Sequence, residues 1–285
     1  MRIDELLKGA SKRLSFVSDT SQLDAQLLLS HVLSVSSSYF YTWPEKNINA
    51  SDLEKFEDLL VRREAGEPIA YLLGSQSFWT LDLEVSPSTL IPRADTEKLI
   101  EVVLSLLDPK AKCQLLDLGT GTGAIALALA SELPNSQVIG VDLIEGAVAL
   151  AKRNAGGNQI NNVNFIQSSW FESIAIGQVF NVIVSNPPYI DPEDEHLSQG
   201  DVRFEPHSAL VAGNKGMADI EHIIVTAPAY LKTDGYLVFE HGYDQAVAVG
   251  ERLREVGFSN IKSFQDLGGN DRVTLGQWSY IREVE

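Results

Sequence analysis

Apolar residues recur at helical spacing through about the first 75 positions and at strand spacing afterwards. Leu6, Leu7 and Ala10 share one helical face, and Leu23, Leu27, Leu28 and Val32 share another. Asp52 to Arg63 carries Leu53, Phe56, Leu59 and Leu60 at the same period. Asp19-Thr20-Ser21 and the stretch Asn49 to Asp52 predict N-caps, since short polar side chains accept the free N–H groups of a first turn. Phe78 to Val85 is mostly alternating and rich in β-formers, which predicts a hairpin. A helix follows from Asp95, carrying Leu99, Ile100, Val103, Leu104 and Leu107.

From about residue 111, strands and helices alternate. Strands are predicted at 114–118, 137–141, 164–167, 180–185, 236–240, 261–264 and 272–278, and helices at 122–133, 146–154, 218–231 and 245–256. Alternation at this spacing implies βαβ units and a doubly wound parallel sheet. Only 265–271 separates the last two strands, too little for a crossover helix, so they are expected as an antiparallel hairpin at one side. The expected organisation is a helical domain over 1–75, a β-hairpin linker over 76–93 and an α/β domain over 94–285.

Composition narrows the class. The chain has 285 residues, 44% apolar and 21% charged, an ordinary globular balance with room for one large and one small core. No run approaches a membrane span, and the acidic start Asp4-Glu5 is unlike a secretory leader. Cys113 is the single cysteine and opens an apolar strand, so a packed thiol and a cytoplasmic location are expected. The net charge of −17 disfavours direct nucleic-acid binding and suits a basic protein or a cationic small molecule. The five histidines have no metal-ligand spacing, so no metal site is expected.

Two stretches carry the chemistry. The first predicted strand of the alternating region runs into Gly119-Thr120-Gly121-Thr122-Gly123-Ala124, directly before a helix. Gly119, Gly121 and Ala124 fit the G-x-G-x-x-G/A fingerprint, and Asp142 ends the next strand where a ribose-binding acid belongs. The fingerprint alone leaves open a dinucleotide or another adenosine cofactor. Asp117, expected to face an amino or sulfonium group, would be unwelcome beside a pyrophosphate. The closing antiparallel strand pair and Trp170, placed to lie against an adenine ring, also favour S-adenosylmethionine. The alternative for Trp170 is a partly buried core residue.

The second stretch is Asn186-Pro187-Pro188-Tyr189. It follows the apolar run Phe180 to Ser185, so Asn186 is expected at the carboxyl end of a strand, where open α/β sheets place ligands. The Asn186 side-chain oxygen and a backbone carbonyl at Pro187 suit the two N–H bonds of a planar amide, with Tyr189 covering its face. The alternative is an Asn-Pro turn that merely closes a strand.

The chain resembles the HemK/PrmC protein-(glutamine-N5) methyltransferases. The resemblance rests on Glu67 to Gly74, Leu90 to Glu97, Asp117 to Ala124, Asp142, Asn186 to Tyr189, Phe204-Glu205-Pro206 with Ala209-Leu210, and Asp271-Arg272-Val273. Ala94-Asp95 stands where the family more often has Pro-Glu, which keeps an acid at the helix start. Asn186 to Tyr189 is shared with adenine-N6 methyltransferases, the alternative class, whereas the Glu67 and Ile91-Pro92-Arg93 blocks are more specific. The resemblance implies a class I, Rossmann-like, S-adenosylmethionine-dependent domain behind a helical domain that holds the substrate. The implied substrate is the glutamine of the Gly-Gly-Gln loop of peptide chain release factors; separately from the resemblance, a monomer is expected. The resemblance further implies cofactor contacts from Gly119, Thr120, Gly121, Thr122, Gly123, Asp142, Trp170 and Asn186, and a glutamine held by Asn186, Pro187, Pro188 and Tyr189.

Overall fold

The computed structural model describes residues 1–279; the last residues of the expected α/β domain, 280–285, lie outside the described residues. Two compact units emerge, one of Met1–Ser75 with Ser198–Phe204, the other of Gln76–Leu197 with Glu205 onwards.

The first unit contains α1 (Ile3–Leu14), α2 (Ser21–Leu33), α3 (Ser38–Thr42), α4 (Ala50–Glu64) and α5 (Ile69–Leu73). Its core is built from the periodic apolar positions, with Leu14, Leu28, Leu29, Phe56 and Leu60 fully buried. At α4 the predicted cap forms, the Asn49 side chain accepting the Asp52 N–H at 2.9 Å. At α2 it does not. Thr20 occupies the N-cap position but its hydroxyl donates to Asp24 Oδ1 at 2.9 Å. Asp24 draws it there because that carboxylate is buried and paired with Arg63 at 2.8 Å. Arg63 also reaches Asp201, and Arg203 donates to the carbonyl of Ala65, which accounts for 198–204 belonging to this unit.

In the second unit the hairpin β1 (Ser75–Phe78) and β2 (Leu81–Glu84) precedes α6 (Glu97–Leu106). The sheet then comprises β3 (Gln114–Leu118), β4 (Gln137–Asp142), β5 (Val163–Gln167), β6 (Phe180–Ser185), β7 (Leu231–Glu240), β8 (Ser259–Gln265) and β9 (Asp271–Trp278). Its helices are α7 (Ala124–Glu132), α8 (Glu145–Gly157), α9 (Ala218–Thr226) and α10 (Ala246–Val256). Strand order is β5-β4-β3-β6-β7-β9-β8; the first five are parallel, and β9 runs antiparallel to both of its neighbours. The expected Rossmann-like sheet with a closing antiparallel pair is therefore present. Order reverses between β3 and β6, so a crevice opens beyond their carboxyl ends.

Element boundaries differ from expectation most clearly at α7 and between α9 and β7. Helix α7 starts at Ala124 rather than Thr122, because Gly119, Gly121 and Gly123 all adopt positive φ and hold the loop out of the helix. The helix expected over 218–231 ends at Thr226 in a short 3₁₀ turn containing Pro228, which lacks the N–H an α-helix needs. β7 then begins at Leu231 instead of Tyr236. Among the described residues, no helix is long and apolar enough to cross a membrane.

Candidate active site

A cavity of about 260 Å³ occupies the crevice above β3, β4 and β6. Gly119 to Thr122, Asp142, Trp170, Asn186 and Pro188 line it, together with Arg93, Thr96 and Asp219. The two stretches singled out in the sequence thus meet in one cavity. A Cβ at Gly121 would project into open space, while Gly119 lies under the Trp170 ring, 3.5 Å from where its Cβ would stand.

Asp142 holds the loop from below, Oδ2 accepting the Gly121 N–H and Oδ1 the Ile144 N–H, both at 2.9 Å. Burial pushes its pKa up, and these two N–H groups pull it back. Each oxygen keeps a free lone pair, so the carboxylate fits a ribose diol. Glycines that let a ligand approach the backbone, this acid and an indole face together fit the adenosine part of S-adenosylmethionine. Trp170 packs against the core as well as lining the cavity.

Four expected site residues do not line the cavity. Asp117 is fully buried, on the same sheet face as Leu115, which points it at α7 rather than at the crevice. The Thr120 hydroxyl donates to its Oδ2 at 2.6 Å and, with the Ala126 N–H of α7, favours the charged form, while Oδ1 has no hydrogen-bond partner. Burial raises this carboxyl to about 7. Gly123 is likewise interior; a Cβ there would come within 3.0–3.2 Å of Phe165, Ala151 and Leu127. Pro187 is buried. The Tyr189 phenol turns inward to Glu240 Oε1 at 3.4 Å, and burial holds its pKa far above the ordinary value.

The raised Asp117 carboxyl makes a stability prediction. In the folded protein it keeps its proton to about pH 7, whereas unfolded aspartate releases it near ~3.9. Its contribution is therefore fully favourable below about pH 4 and is lost as pH rises through about 7. Asp117→Asn should stabilise the fold at pH 8 by up to about 4 kcal/mol and leave pH 4 stability nearly unchanged. Urea unfolding at both pH values measures this; equal effects at the two would contradict the assignment.

Three groups that sequence reasoning left unassigned complete the site. Asn186 Nδ2 donates to the buried Thr96 Oγ1 at 3.3 Å. Glu240, 2% exposed at the end of β7, lies beside both. Arg93 pairs with the buried Glu205 at 2.5 Å, and Glu205 also accepts the Ile91 N–H at 3.0 Å. An ionisable residue closing the apolar run Leu237-Val238-Phe239 was the available signal for Glu240.

Residues 5–74 match the family described as the PrmC N-terminal domain, and 109–271 match one described as a methyltransferase domain. A release factor glutamine methyltransferase of Vibrio cholerae serotype O1 is 55% identical over 99% of this chain and 99% of its own length. One from Aliivibrio fischeri is 54% identical over 98% of each. The crystal structure of a methyltransferase from Pyrococcus furiosus shares the fold, with a TM-score of 0.54 at 19% identity over 79% of this chain and 98% of that one. With relatives this similar over essentially the whole chain, the protein belongs to the family of release factor glutamine methyltransferases.

Proposed function

We propose that the protein transfers a methyl group from S-adenosylmethionine to the side-chain amide nitrogen of the Gly-Gly-Gln glutamine of release factors, in the cytoplasm. The observation that carries this is the placement of Asn186 on the wall of the same cavity as Gly119, Gly121 and Asp142. An acceptor amide held by Asn186 would share this cavity with a cofactor seated on the glycine loop. The likeness to release factor glutamine methyltransferases over the full chain supports the same substrate.

S-adenosylmethionine supplies an electrophilic methyl group on a sulfonium. The protein's part is to bind, orient and polarise. An amide nitrogen is a weak nucleophile because its lone pair is delocalised into the carbonyl. The Asn186 Oδ1 and the Pro187 carbonyl, accepting its two N–H bonds, favour a pyramidal nitrogen with the lone pair directed at the methyl. Both acceptors interact more strongly as positive charge builds on nitrogen, so they stabilise the transition state more than the bound substrate. The cationic product amide loses a proton readily, and no strong base is needed beforehand. Tyr189 stands behind the cavity wall, its hydroxyl donating to Glu240 Oε1. Residues 1–75 serve as the substrate-recognition domain, 76–93 as linker and 94–285 as the methyltransferase domain. Support for the first role is that the helical unit exposes Phe16, Tyr41 and Trp43.

Transfer of labelled methyl from S-adenosylmethionine to purified release factor, with duplex DNA as the competing acceptor, tests the proposal. Labelled DNA and unlabelled factor would favour the adenine-N6 alternative. Asp142→Ala should weaken S-adenosylmethionine binding by roughly 1.5–3 kcal/mol, the scale of hydrogen bonds to a charged group. Calorimetry measures it, with NAD as a control expected not to bind; unchanged affinity would remove Asp142 from the cofactor site.

A further inference from the structure

Amide side chains have two chemically opposite ends of nearly equal size, and the mechanism needs one of them. Asn186 must offer Oδ1 to the substrate amide and keep Nδ2 turned away. Its Nδ2 contacts Thr96 Oγ1, but a hydroxyl both donates and accepts, so this bond alone tolerates either sense of the amide. The carboxylate behind it is different, because an ionised carboxylate only accepts.

We propose that Glu240 is a positioning residue that sets the sense of the Asn186 amide. Glu240 accepts the Thr96 hydroxyl proton, Thr96 Oγ1 then accepts from Asn186 Nδ2, and Oδ1 is left as the end offered to the cavity. This rests on the proposed glutamine methylation, which supplies the need for Oδ1.

The surroundings support an acceptor at this position. Glu240 is buried, and the Tyr189 hydroxyl donates to its Oε1 at 3.4 Å. Its Oε2 is buried without a hydrogen-bond partner, which leaves it as the acceptor open to the Thr96 hydroxyl. Thr96 and Asn186 both favour the charged carboxylate, as does Arg272 on β9, while Asp95, in the turn before α6, opposes it. Arg93 and Arg272 act on the neighbouring Tyr189. Desolvation is the largest influence and raises the Glu240 carboxyl to about 7. Once protonated it becomes a donor to Thr96 Oγ1. Thr96 then donates to Asn186 Oδ1 and the amide is held in the wrong sense. Turnover should therefore rise with pH through about 7 and level off above it.

The test compares the parent with Glu240→Gln, Thr96→Val and Thr96→Ser. Glu240→Gln keeps the volume but can donate as well as accept. It should lower kcat on the order of 10–10²-fold, the scale of a small misplacement, with KM for release factor nearly unchanged. It should also abolish the limb near pH 7. Thr96→Val should match it, and Thr96→Ser, which keeps the hydroxyl, should retain the parent rate. The side-chain amide resonances of Asn186, assigned through their loss in Asn186→Ala, should titrate near pH 7 in the parent and not in Glu240→Gln. Parent-like turnover and pH profile in Glu240→Gln, or parent-like turnover in Thr96→Val, would overturn the proposal. So would an Asn186 amide that titrates identically in parent and Glu240→Gln. A parent that methylates no glutamine would refute the proposed function instead, and the amide resonances would still decide the role of Glu240.

Discussion

Asn186→Ala is expected to lower kcat for release-factor methylation by about 10²–10³-fold, the usual loss for one preorganised polar contact to a developing charge. Release-factor affinity should change little, because the lost bond matters mainly in the transition state. Neither the β6 ladder nor either proline is touched, so the fold should survive. Asn186→Asp sharpens the test. It retains an oxygen acceptor but adds charge beside the cofactor's sulfonium, so S-adenosylmethionine should bind at least as tightly without recovery of the rate. Steady-state kinetics with calorimetry on both variants measures the split. Parent-like turnover in both would reduce Asn186 to a strand-ending turn residue.

Arg63→Ala should destabilise the helical unit by about 3–5 kcal/mol. It leaves Asp24, 3% exposed, as a buried charge without its partner. It also removes donors from the carbonyl of Glu67 and from Asp201. The loss should show as a lowered transition in thermal unfolding, distinct from a transition that S-adenosylmethionine raises by binding the other unit. A single unfolding transition at the parent temperature would contradict it. By the same reasoning, replacing Arg63 and Asp24 together by apolar residues should cost much less than losing Arg63 alone, because no charge is stranded.

What the sequence made legible was what local pattern encodes. Strand β6 is an apolar β-branched run stopped by two prolines, and the glycine loop is a fixed spacing between a strand and a helix, so both could be placed without coordinates. Asp117 was legible as a residue but not as a direction. It lies one residue before Leu118 and two before Gly119, and strand alternation turns it under α7 instead of into the crevice. Thr96 and Glu240 come to Asn186 from 90 residues before it and 54 after it, and no periodicity reports such a meeting. Segment 198–204 is the same kind of case. Its attachment to the helical unit depends on Arg63–Asp201 and Arg203–Ala65, each pair 138 residues apart. The α2 cap was misread because a tertiary partner, the Asp24–Arg63 pair, competed for the Thr20 hydroxyl.

The most direct measurement is tandem mass spectrometry of release factor after incubation with the protein and isotopically labelled S-adenosylmethionine. The account predicts one added methyl on the side-chain amide nitrogen of the Gly-Gly-Gln glutamine, absent when Asn186→Ala replaces the parent for the same short incubation. A methyl on any other residue, or an unmodified factor, would contradict it.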